Sequence, residues 1–179
     1  VTGTSGKSTT VDFTTRILEE AGYKVASISS IRFKIGLREW KNELKMTMPG
    51  RFTVQKFLRQ AVKEKCKYVV LEVTSEGIRQ HRHKYINFDT AVFTNLSPEH
   101  VESHGGFENY RNEKLKLFKA TKNLHIINFE DENSKYFLKI PARKKVTFGV
   151  GDKEKHSDIL QNVRMIAENI DSKNGIAFE

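Results

Sequence analysis

Cysteine is almost absent from the 179 residues: Cys66 stands alone, so no intrachain disulfide can staple this fold. Prolines number three, and no stretch is biased toward Pro, Gly, Ser or one charge, which argues against a disordered chain. No apolar run approaches the roughly 20 residues that a membrane helix needs, and no signal-peptide pattern opens the chain. Acidic residues are the scarcer charge, 22 against 31 basic ones, for a net +9. These shortages leave a soluble domain of a reducing compartment, expected to be cytoplasmic and long enough to bury one core.

The basic surplus suggests an anionic partner. Lysines and arginines are spread along the chain, however, and the densest stretch, Arg32 to Lys45, also holds Glu39 and Glu43. It carries no aromatic ladder on which bases could stack, so nucleic acid is not expected and phosphorylated small molecules are. The N-terminus supplies an anchor for phosphate. Gly3-Thr4-Ser5-Gly6-Lys7-Ser8, followed by Thr9, is a short form of the phosphate loop. Its glycines let successive N–H groups face phosphate oxygens, Lys7 brings a point charge to the outer phosphates, and the Ser8 hydroxyl can ligate Mg²⁺. Phe13, Ile17 and Ala21 recur every four residues and Gly22 stands at a capping position, which predicts a helix whose positive end faces the phosphate. The longer G-x-x-x-x-G-K-S pattern would have glycine where this chain has Val1, and the strand that leads into such a loop is missing. The chain therefore reads as a fragment.

Further along, Lys24 to Ser29 alternates like a half-buried strand, Gly36 within Arg32 to Lys45 suggests a hairpin or extended loop, and Met48-Pro49-Gly50 is a turn. Val54, Phe57, Leu58, Ala61 and Val62 trace a helical stripe. Tyr68 to Val73 and Thr90 to Thr94 are short continuous apolar runs of the kind found in buried parallel strands. A helix over Phe107 to Ala120 precedes a strand over Leu124 to Asn128, and strand signals continue through Val146-Thr147-Phe148-Gly149 to Ile176-Ala177-Phe178. The alternation predicts an α/β fold: a doubly wound, mostly parallel sheet flanked by helices, with ligands bound beyond the strand C-termini.

Glu72 ends one apolar run and is well placed beside the phosphate loop to hold Mg²⁺, directly or through water, although a strand-terminal Glu by itself more often lies at a solvated edge or caps a helix. His100 and His104 stand four apart after the next run, but Val101 occupies the position where a zinc protease has Glu, and no cysteine lies nearby to support structural zinc. Phe107, Tyr110, Lys114, Leu117 and Phe118 share one helical face, which turns Lys114 inward. An ammonium there must snorkel, pair with an acid or be chemically altered.

Taken together, Thr2 to Thr10, Leu71 to Arg82 and Phe88 to Phe118 resemble the central ATP-binding domain of the Mur ligases, most closely the branch that adds the third residue of the peptidoglycan stem peptide. The resemblance implies an ATP-dependent ligase that activates the carboxylate of a UDP-N-acetylmuramoyl-dipeptide as an acyl phosphate, which the amine of an amino acid then attacks. It implies that Lys7 binds the β/γ-phosphates, that Ser8 and Glu72 hold one Mg²⁺, and that His100 and a CO₂-carbamylated Lys114 hold a second. Asn128 would lie on the adenine side, and Thr47, Thr74, Gln80 and Arg82 would contact the UDP-sugar. Here the chain reads Thr74-Ser75-Glu76-Gly77 where the branch often has Ser-Ser-His-Gly. N- and C-terminal domains that complete the substrate sites would lie outside residues 1–179, leaving little or no turnover to this domain alone. Folylpolyglutamate and cyanophycin-type ligases share the phosphate loop, and a non-catalytic nucleotide-binding module is the alternative from another class.

Overall fold

The computed structural model describes residues 1–44, 46–98 and 104–149, together with the backbone of Val150 and of 163–167. His100 and the expected strand at Ile176 to Phe178 lie outside the described residues.

After the phosphate loop comes α1 (Lys7–Glu20), then β1 (Val25–Ile28), β2 (Arg32–Ile35) and β3 (Arg38–Lys41). Next in the chain are α2 (Arg51–Lys63), β4 (Tyr68–Leu71), α3 (Ser75–Arg79) and β5 (Thr90–Phe93). The described chain continues through α4 (Phe107–Ala120), β6 (Leu124–Asn128), α5 (Ser134–Leu138), β7 (Lys144–Val150) and β8 (Val163–Ala167). The strands form two sets in the orders β3-β2-β1-β4 and β5-β6-β7-β8. Among the described strands only β2 runs against the common direction.

Val1 and Thr2 join the two sets. The Val1 nitrogen donates to the Leu71 carbonyl at 2.8 Å, and the Val73 amide donates to the Val1 carbonyl at 2.8 Å. On the other side the Thr2 amide donates to Val92 O and the Thr94 amide to Thr2 O, at 2.8 and 3.0 Å. Both patterns are parallel ladders, so these two residues fill the slot in which a leading strand was expected. From there the chain crosses left to β1 and β4 and later right to β5. The phosphate loop thus sits at the switch point of the winding, where open α/β sheets bind ligands.

The helices cover this sheet with apolar faces. In α2, Val54, Phe57 and Ala61 are buried as the stripe requires, while Val62 is exposed. Phe118 of α4 packs edge-on against Phe137 of α5, which in turn stacks on Phe93 of β5. Buried His125 of β6 brings Nε2 to 2.9 Å from Thr121 O, fixing the C-terminal end of α4. The face marked by Phe13 and Ile17 in α1 is a correction. Those side chains are 61% and 68% exposed, and Val11 and Thr15 are buried instead. The tether from the phosphate loop sets the rotation of α1, and burying Val11 and Thr15 against β1 and β4 leaves the Phe13 side outward.

Candidate active site

The loop from Gly3 to Gly6 is shaped by the strand beside it. The Thr4 amide donates to Asn95 O at 2.9 Å, the Ser5 amide to Asn95 Oδ1 at 2.8 Å, and the Thr94 hydroxyl to Ser5 O at 2.8 Å. Gly3 is required by closeness, since a Cβ there would lie 1.9 Å from Thr94 Oγ1. Gly6 is required by its backbone: φ is 76°, a left-handed value that glycine adopts without penalty. No side chain caps α1, and its first turn holds no acidic residue. The helix dipole therefore favours an anion at this end of α1.

A cavity of about 360 Å³ opens over this loop. Lys7, Ser8, Thr9, Ser30, Thr47, Glu72, Thr74, Tyr110 and Lys114 are among its lining residues. Glu72 continues from β4 and is only 2% exposed. Its Oε2 accepts from Ser8 Oγ and from the Ser30 amide, both at 2.8 Å. A carboxylate and a hydroxyl oxygen held together are hard donors that suit Mg²⁺, an ion that completes its shell with substrate phosphates and water. Among the described residues no group of three His, Cys, Asp or Glu could hold a metal without such help.

Across the cavity Lys114 projects from α4 and is 1% exposed, so the snorkelling alternative fails. Its Nζ donates to Gly3 O at 2.8 Å and sits 4.4 Å from the Tyr110 ring centre. Burial, with repulsion from Lys7 second, lowers its pKa from 10.5 to about 7. Lys7 donates to Thr4 O at 2.6 Å. The Tyr110 hydroxyl lies 3.2 Å from Thr4 Oγ1, and a buried ring thereby ties α4 to the loop.

Over residues 1–175 the sequence matches the family described as Mur ligase middle domain. The chain belongs to that family. It is 38% identical over 172 residues to the UDP-N-acetylmuramoyl-L-alanyl-D-glutamate--2,6-diaminopimelate ligase of Clostridium botulinum, covering 96% of this chain and 34% of that protein. The ligase of the same name from Geobacillus thermodenitrificans is 33% identical over 187 residues, with 100% and 36% covered. The chain thus spans about a third of the length of the curated relatives it matches. A solved structure of a ligase with that name superposes with a TM-score of 0.78 at 23% identity, covering 98% of this chain and 37% of that one, which establishes the fold.

In this Mur ligase middle domain, Gly3, Thr4, Ser5, Gly6, Lys7, Ser8, Thr9, Thr47, Glu72, Thr74 and Lys114 all line the one cavity. The other described residues expected at the site do not line it. Asn128 is engaged next door, its Nδ2 donating to Thr94 O at 2.8 Å behind the loop. Gln80 and Arg82 stand at the C-terminal end of α3, where the Arg82 guanidinium bonds the Met48 carbonyl beside Thr47. Thr74 Oγ1 caps α3 by accepting from the Gly77 amide at 3.1 Å. Sequence reasoning missed Ser30, Ser75, Thr94 and Asn95. Ser30, Thr94 and Asn95 follow strand ends, so the rule that ligands gather there carried a signal for them. Ser75 carried none, because a five-residue helix has no periodicity to read.

Proposed function

We propose that the chain is the ATP-binding central part of a ligase that joins an amino acid to UDP-N-acetylmuramoyl-L-alanyl-D-glutamate. The amino acid proposed is 2,6-diaminopimelate, after the names of the relatives. The observation that carries this reading is the convergence of Lys7, Ser8, Glu72 and Lys114 on one cavity at the switch point. The loop amides and Lys7 bind the β/γ-phosphates of ATP and hold the γ-phosphoryl group in line with the attacking carboxylate. Ser8 and Glu72 would hold Mg²⁺, which neutralises charge on the phosphates when bound. Lys114, with a depressed pKa, keeps a neutral amine fraction at pH 7. That amine attacks CO₂, forming an N–C bond and losing one proton, to give an anion that would share a second cation with His100. Thr47, Thr74, Gln80 and Arg82 orient the UDP-sugar, and Asn128 supports the adenine side through Thr94. The flanking domains of the same polypeptide complete the substrate sites in the cytoplasm, where neither membrane nor nucleic acid takes part.

The test is oxygen transfer. With ¹⁸O in the reacting carboxylate of the dipeptide, the intact ligase should place label in the released phosphate, the mark of an acyl phosphate. Label absent from phosphate during amide formation would overturn the proposed route. Lys7→Met should lower turnover about a hundred-fold or more, and the 179-residue chain alone should bind ATP weakly without forming amide.

A further inference from the structure

Glu76 occupies one of the two positions, with Thr74, at which this chain departs from the Ser-Ser-His-Gly pattern, and the structure gives it specific partners. Its carboxylate pairs with Arg79 at 2.9 Å and accepts from the side-chain amide of Gln80. The opposite end of that amide, Gln80 Oε1, accepts from Arg82 Nη2. Arg82 Nη1 in turn bonds the carbonyl of Met48, whose neighbour Thr47 lines the cavity. Two features make this a directional chain. A carboxylate accepts only, so it selects the NH₂ end of Gln80 and turns the oxygen toward the guanidinium. If the amide flipped, its oxygen would face the carboxylate and its NH₂ the guanidinium, and both contacts would be lost. The α3 terminus also fixes the backbone here: His81 adopts φ 56°, and the Arg82 amide returns to Gly77 O at 2.8 Å. With the backbone set, the side-chain relay decides where the guanidinium fork points.

We propose that Glu76 is a positioning residue for the UDP-sugar substrate, holding Arg82 through the Gln80 amide in the orientation that meets the substrate's anionic groups. This rests on the reading of Gln80 and Arg82 given above. A purely structural role would instead run through the Glu76–Arg79 pair within α3, and the two roles separate experimentally.

The test uses steady-state kinetics of the full-length ligase that contains this chain. Glu76→Ala should raise KM for UDP-N-acetylmuramoyl-dipeptide about ten-fold, with kcat and KM for ATP changed by no more than about two-fold. Glu76→Gln should recover only part of the loss, because its amide oxygen still accepts from Gln80 while its NH₂ group no longer excludes the flipped amide. Arg79→Ala, which removes the helix pair, should leave KM in place. Arg82→Ala should raise KM by itself, and adding Glu76→Ala should then cost less than about two-fold more, because both act through one contact. The inference is overturned if the two effects multiply, if Arg79→Ala raises KM as much as Glu76→Ala, or if Glu76→Ala leaves KM unchanged while Arg82→Ala raises it. If Arg82→Ala itself leaves KM unchanged, the substrate role of Arg82 is wrong and this inference falls with it.

Discussion

Replacing Lys114 by Met should stabilise the domain, and by more at neutral pH than in alkali. The side chain is 1% exposed, with one carbonyl and one aromatic ring for company. Burial and the nearby Lys7 lower its pKa from 10.5 to about 7. Between those values the unfolded chain binds more protons than the folded one, so the stability of the native protein rises with pH across that window. Below about pH 7 the burial penalty is fully present, on the order of 4–5 kcal/mol for a depression of this size. At pH 9 most unfolded lysines are still protonated while the buried one is neutral, and about 2 kcal/mol remains. Methionine is an unbranched, uncharged filler of similar reach and carries no such term. Urea unfolding of both proteins in CO₂-free buffer from pH 6 to 9 reads the effect, because titrating groups away from Lys114 cancel in the difference. The advantage of Lys114→Met should shrink by about 2 kcal/mol between pH 7 and 9. Parallel stability curves, or an advantage that grows with pH, would show that the buried amine is not held at a low pKa.

Three further substitutions probe the loop and the α3 terminus. Gly3→Ala would press a Cβ against Thr94 Oγ1 at 1.9 Å and Asn95 O at 3.0 Å, so it should cost about 1–3 kcal/mol in urea unfolding and abolish binding of a fluorescent ATP analogue. Gly6→Ala meets open space and should cost only about 1 kcal/mol for its positive φ; equal costs at both glycines would contradict the packing argument. His81→Gly should raise the melting temperature slightly, since the residue sits left-handed in the turn that ends α3 and glycine adopts that conformation freely; a lower Tm would mean that the imidazole itself supports the fold.

Much of the framework was legible because it depends on local pattern. The phosphate loop is a contiguous string, the buried strands are short apolar runs, and the spacing in α4 places Lys114 inside from sequence alone. What stayed hidden depends on contacts between distant segments. The rotation of α1 was misjudged because Phe13 and Ile17 repeat as clearly as Val11 and Thr15, and only the tether at Gly6 decides between the faces. The engagement of Asn128 with Thr94 O, and of Arg82 with Met48 O, joins residues 34 apart in both cases. No periodicity records such bonds. His81 stands between two residues expected to contact substrate, and its backbone closes the C-terminal turn of α3.

The chemistry of the cavity explains why so costly a side chain is tolerated there. Lys7, Lys114 and the uncapped start of α1 all present positive charge to a space in which Glu72 is the buried carboxylate. The two cations oppose each other, since each lies in the field of the other and Lys114 is desolvated as well. In the proposed function, phosphate oxygens would relieve the excess by bonding the loop amides and Lys7, and CO₂ uptake would convert Lys114 from a repelling cation into an anion. Both changes stabilise the folded form alone, by an amount that grows with ligand concentration over its dissociation constant. A lysine that serves only packing gives no such linkage. The stabilisation by Mg·ATP should therefore be larger for the native protein with bicarbonate than without it, and Lys114→Met should show no dependence on bicarbonate at all.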